Sequence, residues 1–144
     1  MAPSQKEAAR KVLQTHLPLN DYGHRELVVR VNGIDSPWFA EDIACAVNLP
    51  IDGICLPKVE SAEAVHRLVR LIEQSPLLNP SAQARSDFSL WPMIETPMGV
   101  FSAASIAAAH SSVECLIVGT SDLAKELQLR QSVDRLGLQF ALSQ

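Results

Sequence analysis

Three observations predict an α/β protein built on a parallel sheet. Short apolar runs such as Leu27-Val-Val29 are continuous rather than alternating, which suits strands buried on both faces. Segments of helical periodicity stand between those runs, and parallel strands need such crossovers, right-handed ones, to reach one another. With 144 residues, 47% of them hydrophobic, the chain can bury a core as a single domain over 1–144.

The elements follow in order. Ser4 and Glu7 have the spacing of a capping box ahead of Ala9, Val12, Leu13 and Leu17, which share one helical face, so a helix is expected over about 4–17. A turn from Pro18 to Gly23 leads to a strand over Glu26 to Asn32. Ser36 followed by Pro37 combines a cap side chain with a ring that pre-sets φ, so the next helix should start there and run to about Val47. A short strand is expected over Asp52 to Leu56. Ser61 then caps a helix whose Val65, Leu68, Val69 and Ile72 fall at i, i+3, i+4 and i+7. Residues 75–87, with two prolines, three serines and no periodicity, are expected to be a surface connection. The third strand is Leu90 to Ile94, followed by an Ala-rich helix over about Gly99 to His110. Glu114 to Val118 is the fourth strand, and helices over Asp122 to Leu127 and Ser132 to Leu142 complete the chain.

Composition excludes several classes of function. A net charge of −4 and the absence of a dense Lys/Arg run argue against nucleic acid, which needs a clustered basic face. Polar residues at Gln5, Lys6, Glu7 and Arg10 interrupt any leader, and no run is long enough to span a bilayer, so the expectation is a cytoplasmic protein with no membrane partner. Cys45, Cys55 and Cys115 lack CxxC or Cys/His spacing and are expected to be buried free thiols. His16, His24, His66 and His110 show no pairing, and Trp38 and Trp91 suit packing.

Three strand ends carry polar residues that a buried strand does not need: Arg30, Glu95 and Asp122. In a parallel sheet the C-terminal strand ends form one rim, where residues from separate strands converge. Two carboxylates without Cys or His make a hard-oxygen set that suits Mg2+, with waters and substrate oxygens completing the shell. Each residue also has a purely structural role open to it. Arg30 equally suits a pair with Asp52 or Glu60, while Glu95 or Asp122 could merely cap the helix that follows it. Lys58 and Glu60 could form a solvated ion pair.

Four strings carry a resemblance: Arg30-Val-Asn-Gly-Ile-Asp-Ser-Pro-Trp38, Gly53-Ile-Cys-Leu-Pro-Lys-Val-Glu-Ser61, Ile94-Glu-Thr-Pro-Met-Gly-Val100 and Gly119-Thr-Ser-Asp-Leu-Ala124. In order and spacing they resemble the successive motifs of the HpcH/HpaI aldolase/citrate lyase β-subunit family over nearly the whole chain. The resemblance implies a (β/α)8 barrel of about 250 residues or more, of which this chain would hold strands three to six with their helices as one incomplete barrel domain. It further implies that Glu95 and Asp122 bind Mg2+ and that Arg30 and Glu95 contact substrate. The implied activity is a Mg2+-dependent carbon–carbon lyase that cleaves a citryl or malyl thioester of coenzyme A or an acyl carrier protein, working as a homo-oligomer or in a lyase complex. An aldolase of hydroxy-oxo-diacids is an alternative within the family. The other alternative is a truncated, inactive chain that associates through open sheet edges, because the acidic motif the family carries on its second strand, and its last strands, are not among these residues. On that view the 144 residues alone should lack thioester cleavage and be oligomeric or marginally folded. Gln128 stands where the family usually has Gly.

Overall fold

The computed structural model describes residues 3–74, 88–130 and 133–144; the connection expected over 75–87 and the start of the last expected helix lie outside them. Four strands, β1 (Val28–Arg30), β2 (Gly53–Leu56), β3 (Ser89–Ile94) and β4 (Ile117–Val118), pair in parallel in the order β1-β2-β3-β4. That sequential order has no reversal of direction along the sheet, so it matches a barrel wall and lacks the switch point of a doubly wound sheet.

Register divides the sheet into two faces. Arg30 pairs with Cys55 and Cys55 with Trp91, while Val29, Ile54 and Leu90 form the neighbouring row. Alternation then places Val31, Ile54, Leu56, Leu90 and Ile94 on one face, where they join Phe39, Ile43, Val65, Leu68 and Ile106 in the core. Each fully buried aliphatic side chain there contributes about 1.5–3 kcal/mol. Arg30, Trp91, Met93 and Ile117 occupy the other face, which corresponds to a barrel interior, with Arg30 itself exposed at the strand's end. Met93 points inward as its barrel position requires, but Val29 and Val31 belong to the helix-covered face, one step out of phase with Arg30.

Among the described residues the helices are α1 (Lys6–His16), α2 (Phe39–Ala46), α3 (Ala62–Glu73), α4 (Pro97–Phe101), α5 (Ala103–Ala107), α6 (Thr120–Glu126) and α7 (Gln139–Leu142). No helix among the described residues is long and apolar enough to cross a membrane. Several starts differ from expectation. Residue Gln5 occupies the cap of α1 and no side chain caps it, because a 3-10 turn over Pro3–Gln5 precedes the helix and displaces the Ser4/Glu7 box. Two turns follow Gly33, so α2 begins at Phe39 and the Ser36 hydroxyl is buried with no hydrogen-bond partner among the described residues. The Ala-rich helix starts at Pro97, earlier than expected, and is broken at Ser102. The long final helix is replaced by a 3-10 turn, Leu136–Leu138, and the short α7; Arg135 in the left-handed region (φ +52°) and the helix-weakening Gly137 interrupt it. At the end of α6, Gln128 takes φ +54°, the left-handed conformation that glycine adopts most readily.

Ser61 does cap α3, its hydroxyl accepting from the Ala64 N–H. The two serines therefore make a matched test by thermal unfolding. Ser61→Ala should cost about 1 kcal/mol, whereas Ser36→Ala should be neutral or stabilising, since it removes a buried hydroxyl without a partner.

Candidate metal and anion site

Arg30 closes β1, Glu95 follows β3 directly, and Asp122 lies in the first turn of α6 just beyond β4. The strand register brings all three to the same rim. They line one cavity of about 330 Å³ with Lys6, Arg10, Val31, Asn32, Asp42 and Pro57. A larger, more open hollow of about 760 Å³ lies at the opposite strand ends, lined by Glu26, Asp52, Ser89 and Glu114. That is the face of a barrel that serves stability rather than chemistry.

The structural alternatives left open for these residues are not realised. Thr96, not Glu95, caps α4 by accepting from the Gly99 N–H at 3.1 Å, and α6 has no side-chain cap, so neither acid is spent on a helix end. Asp52 accepts from the Leu27 N–H at 2.7 Å, and Arg30 makes no ion pair among the described residues. Lys58 pairs with Glu126 at 3.4 Å instead of Glu60.

Glu95 is only 4% exposed. Burial pushes its carboxyl above the usual carboxylate range and the neighbouring Asp122 charge adds to the rise, against a lowering contribution from the Lys58 N–H. That N–H donates to Glu95 Oε1 at 3.1 Å, and Lys58 adopts φ +53° to aim it. A left-handed lysine is strained by roughly 1–3 kcal/mol, a cost typically held at functional sites. Across from it, a Cβ on Gly119 would lie 2.7 Å from Glu95 Cβ and 2.9 Å from Oε2, so only glycine leaves room for the carboxylate. Neither the Lys58 amide nor Gly119 was singled out from sequence, although both belong to the motif strings. Gly119→Ala should push the Glu95 side chain aside and destabilise by about 1–3 kcal/mol, read from the chemical denaturation midpoint.

The buried Glu95 and the exposed Asp122 repel each other at this rim, and a hard divalent cation shared by them would relieve that repulsion. No cluster of three or more His, Cys, Asp or Glu ligands exists among the described residues. Water and ligand oxygens would have to complete the shell, as Mg2+ prefers. The donor set therefore fits magnesium.

The family model for HpcH/HpaI aldolase/citrate lyase matches residues 1–144. A (3S)-malyl-CoA thioesterase of Cereibacter sphaeroides is 38% identical over 142 residues, covering 99% of this chain and 45% of the relative. The citrate lyase subunit beta of Leuconostoc mesenteroides subsp. cremoris is 32% identical over 138 residues, covering 96% and 45%. Among solved structures, the citrate lyase beta subunit from M. tuberculosis, complexed with oxaloacetate and magnesium, superposes with a TM-score of 0.65 at 28% identity, over 93% of this chain and 51% of that one. The chain thus spans about half the length of the relatives it matches.

Proposed function

Since this chain belongs to the HpcH/HpaI aldolase/citrate lyase family, we propose that it is a section of a (β/α)8 barrel whose rim cleaves the carbon–carbon bond of a hydroxy-acid acyl thioester of the citryl or malyl type. The observation that carries this reading is the convergence of Arg30, Glu95 and Asp122 on one cavity at the C-terminal strand ends. Glu95 and Asp122 would hold Mg2+, and Arg30 would take a substrate carboxylate. When bound there, the cation supplies Lewis-acid polarisation of a substrate oxygen. Arg30 offers paired donors to one carboxylate and stabilises charge that develops beside it. Glu95 keeps its position through the Lys58 N–H and the space left by Gly119, so the acidic pair is pre-organised for its ligand. The carrier, coenzyme A or an acyl carrier protein, and any partner subunits would contact surfaces beyond this rim. Cys45, Cys55 and Cys115 are free thiols, the first two buried and the third half-buried, which suits the reducing cytoplasm where we place the protein.

The test is a chimera in which residues 1–144 replace the matching section of the Cereibacter relative. Mg2+-dependent release of acetyl thioester and an oxo acid is the expected result, and a folded chimera without it would sink the proposal. Thioester hydrolysis is a second reading, favoured by the 38% identity to a malyl-CoA thioesterase; free thiol and an intact hydroxy acid would then be the products. In the same chimera, Arg30→Lys should weaken substrate use by about 1–3 kcal/mol, because a bidentate contact becomes a point charge. Full activity in that variant would return Arg30 to a structural role.

A further inference from the structure

Lys58 is tied to both halves of the acidic pair. Its backbone N–H donates to Glu95 Oε1 at 3.1 Å, and its Nζ donates to Glu126 Oε1 at 3.4 Å. Asp122 and Glu126 stand four residues apart on α6 and so share one face of that helix. One residue therefore grips Glu95 through its main chain and the helix of Asp122 through its side chain. The main-chain end of this link is rigid. The Val59 N–H donates to Met93 O at 3.1 Å, and a Cβ on Gly99 would come within 2.6 Å of Val59 O, so α4 closes directly on the turn that carries Lys58. Helix α6 is pinned at its start, where the Gly119 N–H donates to Ile94 O at 2.9 Å, and in its middle by the buried Leu123 and Ala124. Its last residue, Glu126, is the one that Lys58 reaches. Asp122 lies between these fixed points.

We infer that Lys58 is a positioning residue that sets the spacing of the Glu95 and Asp122 carboxylates, and through that spacing makes the rim discriminate Mg2+ from the larger Ca2+. The inference rests on the proposed reading of the two acids as magnesium ligands. Mg2+ holds its oxygens at about 2.0–2.1 Å in a near-ideal octahedron, whereas Ca2+ accepts about 2.3–2.6 Å and irregular shells. With the link between Lys58 and Glu126 cut, the end of α6 is released and Asp122 can draw back from Glu95. Calcium tolerates that withdrawal and magnesium does not. The ratio of the two affinities isolates this effect, because a charge added or removed nearby acts equally on two divalent cations.

The experiment titrates the full chain calorimetrically with Mg2+ and, separately, with Ca2+. Lys58→Met keeps a side chain unbranched at Cβ, and with it the backbone conformation that serves Glu95, while Glu126→Gln keeps the shape of its residue. Each should lower the ratio of Mg2+ to Ca2+ affinity about threefold, the scale of an exposed ion pair, although the two changes shift the net charge in opposite directions. The double variant should fall no further than either single one, since both cut the same link. Lys58→Arg, which can still pair with Glu126, should keep the parent ratio. An unchanged ratio in Lys58→Met and Glu126→Gln would overturn the inference alone and leave the pair a surface contact beside an intact magnesium site. Effects that multiply in the double variant, or a lowered ratio in Lys58→Arg, would overturn it as well. Failure of the parent to bind Mg2+ would overturn the magnesium-site reading, and the inference with it.

Discussion

Glu95→Gln should abolish Mg2+ binding to the chain while making the metal-free fold more stable at neutral pH. The loss follows from ligand count: with two protein carboxylates available to hold the cation, removing one would leave a single carboxylate, and affinity measured by calorimetry should fall by more than about a hundredfold. Asp122→Asn should do the same. Mg2+ should therefore raise the unfolding midpoint of the parent and of neither variant.

The gain in metal-free stability follows from the raised pKa of Glu95. Between the ordinary carboxylate value and the raised one, the folded state holds more protons than the unfolded state, so stability falls as pH rises through that window and stays at its lower level above it. Glutamine avoids this loss, because its carbonyl can still accept from the Lys58 N–H and its amide can donate to Asp122. The advantage of the variant should vanish below the ordinary carboxylate range. Metal affinity of the parent should rise with pH across the same window and then level off, since Mg2+ has to displace the proton. Unaltered Mg2+ affinity in both single variants would remove these residues from the site.

A second large effect is expected at Ile54→Ala. Ile54 is fully buried at the centre of β2, between β1 and β3, in the layer that packs against the helices. Truncation should cost about 2–5 kcal/mol through lost transfer energy and an unfilled cavity, a large share of the 5–15 kcal/mol typical of a domain. Denaturant unfolding would measure it. A cost below about 1 kcal/mol would mean that this layer is loosely packed.

The strand order explains why polar residues far apart in sequence meet. Arg30 and Glu95 are 65 positions apart, yet the register Arg30, Cys55, Trp91 and the two-residue alternation through Met93 bring Glu95 to the same face. Gly119 and Asp122 arrive by the same means, since Ile117 pairs with Met93. Sequential parallel pairing is thus the direct cause of the site.

The sequence by itself determined the α/β class, the four strands, the Ser61 cap and the three polar strand ends, because each has a local signature: an apolar run, a cap at the right offset, a charge where burial should forbid one. It located the acids without revealing their setting. Only the tertiary structure decided that Thr96 caps α4 and so frees Glu95, that the Lys58 backbone serves Glu95 while its ammonium group reaches Glu126, and that Gly119 is required by a side chain 24 positions away. The same holds for the helix starts: the Ser4 and Ser36 signals are genuine, but neighbouring turns overrode them. The face taken by Val29 and Val31 is likewise a tertiary matter, since a continuous apolar run contains no polar alternation from which phase can be read, and phase is set by pairing with β2.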